Sequence, residues 1–185
     1  VDLETKLQLY LLHTGPNAEM PLSAEQNETL IHLLAKKYEG DYRIYSIYAE
    51  YLIRHDRNRE ARDQLLKVLA GGMTDFAIWE QLLFLDNDLQ DWQGLYEHGG
   101  QALELFPNQA QFYFLRAIGA LQLTKYQDAV TLVEEGLNYV VDNKFLQGQM
   151  VFLHGEALYK LDRQEEAFTL FDQALALDPE NYIAM

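Results

Sequence analysis

Apolar residues recur along this chain at spacings of three and four, the rhythm of helices that bury one face. In residues 2–14 they fall at Leu3, Leu7, Tyr10 and Leu11. Gly15, Pro16, Asn17 and Pro21 break that run and predict a loop longer than a tight turn. Ser23-x-x-Gln26 reads as a capping box that opens a helix to about Tyr38, with Leu30, Ile31, Leu33 and Leu34 turned inward. Further on, aromatic-bearing runs begin just after Asp41, Asp75 and Asn108, residues whose side chains accept from the free amides of a first helical turn. Gly71-Gly72 stops a helix, because glycine takes positive φ without strain. Asn143-Lys144 starts another helix early, so that it runs about one turn longer than its counterparts. The pattern predicts an almost wholly helical chain without a sheet.

The helices also repeat in pairs. Residues 148–181 read GQMVFLHGEALYKLDRQEEAFTLFDQALALDPEN, with small residues at Gly155, Ala167 and Ala174 and large apolar ones at Leu158, Phe171, Leu175 and Leu177. In this frame the unit resembles a tetratricopeptide repeat, a helix–turn–helix of about 34 residues. The same frame recurs from Ala110 (Tyr113, Ala120, Tyr126, Ala129, Gly136), from Phe76 (Trp79, Leu82, Ala102, Leu103, Pro107) and from Tyr42 (Tyr45, Ala49, Leu52, Ala61, Leu65). The division expected is a degenerate leading hairpin over 1–41, repeats over 42–75 and 76–109, a repeat with a short insertion over 110–147, and a repeat over 148–181. Residues 182–185 would begin a truncated further unit of a longer array. The resemblance implies an all-α, right-handed superhelical solenoid of antiparallel helix pairs. It extends, through the D-x-E-T-K opening, to exported bacterial arrays, notably of Bacteroidetes, which points towards the cell envelope.

The physical reason for such a pattern is that two short amphipathic helices cannot bury an apolar face alone, so neighbouring pairs must stack. Small residues belong where helices cross closely, at Ala49, Ala61, Gly155, Ala167 and Ala174. The unit from Phe76 instead puts Leu83 and Leu95 at such places, and carries Gly99-Gly100 within its second helix at about 1 kcal/mol each relative to alanine. The expectation is that the glycines make room for the leucines.

Composition narrows the function. Hydrophobic residues make up 49% of 185, enough for a core, and the formal charge of −15 opposes nucleic acid, whose phosphates need a basic surface. Residues 76–109 carry Glu80, Asp86, Asp88, Asp91, Glu97 and Glu104 and no lysine or arginine, whereas 41–75 balances its signs. There is no cysteine, hence no disulfide framework or thiolate site, and no stretch approaches the roughly 20 apolar residues of a membrane span.

Candidate chemistry is sparse. The histidines at 13, 32, 55, 98 and 154 have no paired metal-ligand spacing, so no metal, cofactor or catalytic residue is expected. Asp86-x-Asp88-x-x-Asp91 with Glu97 imitates a calcium loop but has Asp91 where the turn needs glycine, and Asp91 reads better as a helix cap. Asn27-Glu28-Thr29 is a glycosylation sequon inside a predicted helix.

The resemblance implies that the first helices line a concave groove. Its positions there include Ser46, Glu80, Phe114 and Phe152, which lack the lysine–asparagine pattern of relatives that clamp a terminal carboxylate. Instead Phe84, Phe114, Ile118, Leu121, Phe152 and Tyr159 form an apolar, aromatic stripe suited to a peptide or an amphipathic helix. The expected function is a protein–protein interaction scaffold without catalysis, its contact mainly apolar and weakly salt-dependent. The alternative is an architectural spacer whose groove its own chain fills, separated from the first by whether flanking regions supply such a segment. End-to-end self-association through Phe171, Leu175 and Leu177 is also expected, since a solenoid's last helix exposes the face meant for the next unit.

Overall fold

One hydrogen-bonded turn recurs along the chain and sets its architecture. Arg57 N donates to Leu52 O (3.0 Å), Asp91 N to Asp86 O (2.9 Å), Lys125 N to Ala120 O (2.9 Å) and Arg163 N to Leu158 O (3.0 Å). Each bond closes over a residue at positive φ: Asp56 (56°), Gln90 (56°), Thr124 (60°) and Asp162 (61°). This is the Schellman closure of a helix, which satisfies its last carbonyls and reverses the chain. Aspartate tolerates the left-handed region better than most residues, while a β-branched threonine is strained there.

The computed structural model describes residues 2–14 and 22–177. Among them are ten helices and no strand: α1 (Leu3–Thr14), α2 (Ala24–Lys37), α3 (Tyr42–Ile53), α4 (Asn58–Ala70), α5 (Phe76–Asp88), α6 (Trp92–Leu105), α7 (Ala110–Gln122), α8 (Tyr126–Leu137), α9 (Lys144–Lys160) and α10 (Gln164–Leu177). Successive helices from α2 to α10 pack on one another, and α5, α7 and α9 also touch in order, so these alternate helices lie side by side. The fold is an all-α solenoid of antiparallel helix pairs. Its core runs as one cluster from Tyr10 and Ile31 to Ala167, while Leu3, Leu7, Leu34 and Ile44 form a small second cluster at the N-terminal end.

Local signals act as their chemistry requires. Ser23 and Gln26 exchange side-chain and backbone hydrogen bonds as a capping box, and Asp41, Asp75, Asp91 and Asn143 each accept from a first-turn amide. Gly72 takes φ 86° after α4, and α9 is the longest helix at 17 residues. The small residues Ala49, Ala61, Ala167 and Ala174 are fully buried. A Cβ at Gly155 would stand 2.6 Å from Phe171 Cε1, so the Phe171 ring occupies the space a side chain there would need.

Four expectations need correction. The N-cap of α7 is Gln109, without a side-chain bond, and not Asn108. Leu33 is exposed, because the buried stripe of α2 runs through Ile31 and Leu34, about a third of a turn away, and Leu11, one turn beyond Leu7, is exposed as well. Leu30 is half-buried. Leu83 and Leu95 are fully buried, but the atoms that close on Gly99 and Gly100 belong to Arg116 of α7, whose Cβ lies 2.9 Å from a Cβ built at Gly99. The glycine pair admits that arginine, whose guanidinium sits 4.8 Å from the centre of the Tyr96 ring.

Candidate functional site

Phe114, Ile118 and Leu121 follow one another on α7 at helical spacing and share a face. The remaining apolar residues of this helix, Ala110, Phe112, Tyr113, Leu115, Ala117 and Ala120, are buried in the core. Helix α7 is therefore apolar nearly all round, and its second apolar stripe faces α9 across an open cleft. There Gln149, Phe152, Leu153 and Glu156 complete the walls of a cavity of about 200 Å³. Phe152 is held from behind by Phe171 of α10, the rings 5.3 Å apart. Gly155 makes that possible by letting Phe171 reach the α9 backbone.

The fold thus brings Phe114, Ile118, Leu121 and Phe152 into one cavity and leaves the two ends of the stripe outside it. Phe84 stands on α5 at 42% exposure. Tyr159 lies beyond the cavity at 45% exposure, its ring 6.3 Å from that of Phe168. Leu153, which the groove reading left out, faces the cavity though largely buried, and Gln122, Gln149 and Glu156, groove positions of the resembled repeat, form its polar rim. Glu156 follows Phe152 by one turn, which is the sequence signal that places it there. Burial pushes its carboxyl above the usual glutamate value, and Lys160 offsets this only in part.

A second constellation is charged and lies between α4, α5 and α6. Asp86 is 0% exposed, with one carboxylate oxygen on Arg62 Nε and the other 2.7 Å from His98 Nδ1. Arg62 also reaches Asp91, which caps α6 through Gly94 N. The would-be calcium loop is therefore built into the packing of three helices. Its Asp86 and Asp91 carboxylates are both engaged by Arg62. Among the described residues no group of three or more histidine and acidic side chains is placed to hold a metal ion, and no helix is long and apolar enough to cross a membrane. His154 sits 3.7 Å from Glu134 between α8 and α9, and burial pushes its imidazole below the usual histidine value.

No protein-family model matches the chain. The structure of YrrB, described as a TPR protein with an unusual peptide-binding site, is similar at a TM-score of 0.75 and 16% identity, over 87% of this chain and 81% of that one. A structure of MamA gives a TM-score of 0.75 at 12% identity, over 96% and 94% of the two chains. Mouse tetratricopeptide repeat protein 16 is 32% identical over 95 residues. The chain has the tetratricopeptide-repeat fold. The stretch shared with the mouse protein is 50% of this chain and 12% of that protein's length, so it carries nothing of the mouse protein's activity or partners to this chain.

Proposed function

We propose that this chain is a protein–protein interaction scaffold that binds a peptide or helix along its first helices, without catalysis. The observation that carries this reading is the apolar cavity between α7 and α9, walled by Phe114, Ile118, Leu121 and Phe152. Half-buried aromatic residues in an open cleft supply large contact area at little entropic cost, and so serve as anchoring points for a partner. The peptide-binding site named for YrrB, which has the same fold, supports it.

Selection of a phage-displayed random dodecapeptide library on the wild-type chain tests the proposal. Enriched peptides should lose binding to the Phe114→Ala/Phe152→Ala protein while its helical circular dichroism is unchanged. Undiminished binding to that variant removes the stripe from consideration. A wild-type groove that enriches nothing supports the spacer reading, in which the chain itself fills the groove.

A second partner surface proposed is the end of α10. Leu175 and Leu177 are half-buried, Phe168 is 55% exposed, and Phe171 turns inward on Phe152 and Gly155. Residues 182–185, read as the next unit's start, lie outside the described residues. Sedimentation across concentration should show weak end-to-end association, diminished by Leu175→Ser/Leu177→Ser.

A further inference from the structure

Resting on the groove reading above, we infer that the partner is a basic segment: a bulky apolar side chain seated between α7 and α9, with a lysine or arginine beside it against Glu156. Three observations converge on this chemistry. The cavity, about 200 Å³, is smaller than the pockets that hold drug-sized ligands and suits one large side chain. Its wall is apolar except for Glu156, Gln122 and Gln149, so among the described residues the only formal charge lining it is a carboxylate. Glu156 is half-buried, and the neighbour that offsets its burial is Lys160, which is exposed at the end of α9. A carboxylate partly removed from water and weakly countered gains most from a cation brought to it in the same low-dielectric setting.

The surroundings have the same sign. On the neighbouring first helix, Glu80, Phe84 and Asp88 follow at intervals of four, an acidic–aromatic–acidic face with Phe84 exposed. No lysine or arginine occurs between 76 and 109 to neutralise it, and the chain as a whole carries −15. Farther along, Arg54 is paired with Glu50, and Arg43 with Asp41 and Glu4, so these cations are already engaged. A basic residue could also lie over the face of Phe84. An acidic segment would meet repulsion along this whole face. The apolar anchor supplies most of the affinity, and the charge selects among anchors and speeds association.

The test uses the library-selected peptides, made synthetically, and the whole chain. Selected sequences should share a bulky apolar residue with a lysine or arginine within a few positions. Changing that cation to glutamine should weaken binding to the wild type by roughly fivefold. The Glu156→Gln protein, its helical spectrum unchanged, should bind the lysine and glutamine peptides equally. Because a docked cation favours the charged form of Glu156, affinity for the basic peptide should fall as pH is lowered through the titration of that carboxyl, and Glu156→Gln should flatten this dependence. Selected peptides that are acidic or uncharged overturn the inference, as does a lysine preference that survives Glu156→Gln. In either case, loss of binding in Phe114→Ala/Phe152→Ala would leave the groove reading standing. Binding that survives the double phenylalanine variant, or the absence of any enriched peptide, overturns both.

Discussion

The pairs α5–α6 and α9–α10 have the same backbone plan and opposite interiors. Each first helix ends in the same closure, on the carbonyl of Asp86 in one and of Leu158 in the other. Both residues are buried. In α9–α10 the small residues Gly155 and Ala167 let Phe171 enter between the helices, which is ordinary close packing. In α5–α6 the corresponding places hold Leu83 and Leu95, Gly99 stands where Phe171 does, and a carboxylate replaces the apolar Leu158. That carboxylate is stable only because two neighbours complete it: Arg62 from α4, in the preceding pair, and His98 from α6. A solenoid position is therefore not bound to one residue type; it is bound to what the adjoining helices can offer it.

The largest expected effect breaks the charged interior. Arg62→Met should cost about 3–5 kcal/mol in urea unfolding, since it strands a buried carboxylate. Adding Asp86→Leu, which makes the position resemble Leu158, should recover most of that loss. A cost below about 1 kcal/mol for the single variant would mean that His98 alone suffices.

The close-packed interior should respond less strongly. Gly155→Ala places a methyl 2.6 Å from Phe171 Cε1. Overpacking of this kind costs about 1–3 kcal/mol. It should also loosen Phe152, so peptide affinity would drop together with stability.

The turn type common to both pairs, which also joins α7 to α8, offers a smaller change, in the opposite direction. Thr124 is a β-branched residue at φ 60°. Thr124→Gly should stabilise the chain by about 1 kcal/mol. The same change at Asp162 should gain less, because aspartate accepts that region more readily.

The smallest effect is one of pH. Burial lowers the folded pKa of His154 below its usual 6.5. Between the two values the unfolded chain binds more protons, so stability should decline as pH falls through 6.5 towards the folded value. His154→Gln should remove that part of the slope and leave the acid limb governed by carboxylates, such as Glu28 and Glu166, that arginines hold below their usual values.

Sequence alone determined the helices and their repetition. Caps, stops and apolar spacing are local signals: the Ser23 box, Asp75, Gly72 and the long α9 each follow from residues within a few positions of one another. The shared face of Phe114, Ile118 and Leu121 was equally legible, because it needs only the geometry of a single helix. Tertiary structure decided everything that requires two helices at once. Phe152 joins that face while Phe84 and Tyr159 do not, since α9 packs beside α7 and Phe171 of α10 holds the Phe152 ring from behind. The buried role of Asp86 was not legible, because its partner Arg62 stands a whole pair earlier in the chain, and the burial of both carboxylate oxygens exists only after α4, α5 and α6 have packed. Glycines 99 and 100, a weakness on a lone helix, become the space for Arg116 for the same reason: what a residue is for depends on which neighbour arrives beside it.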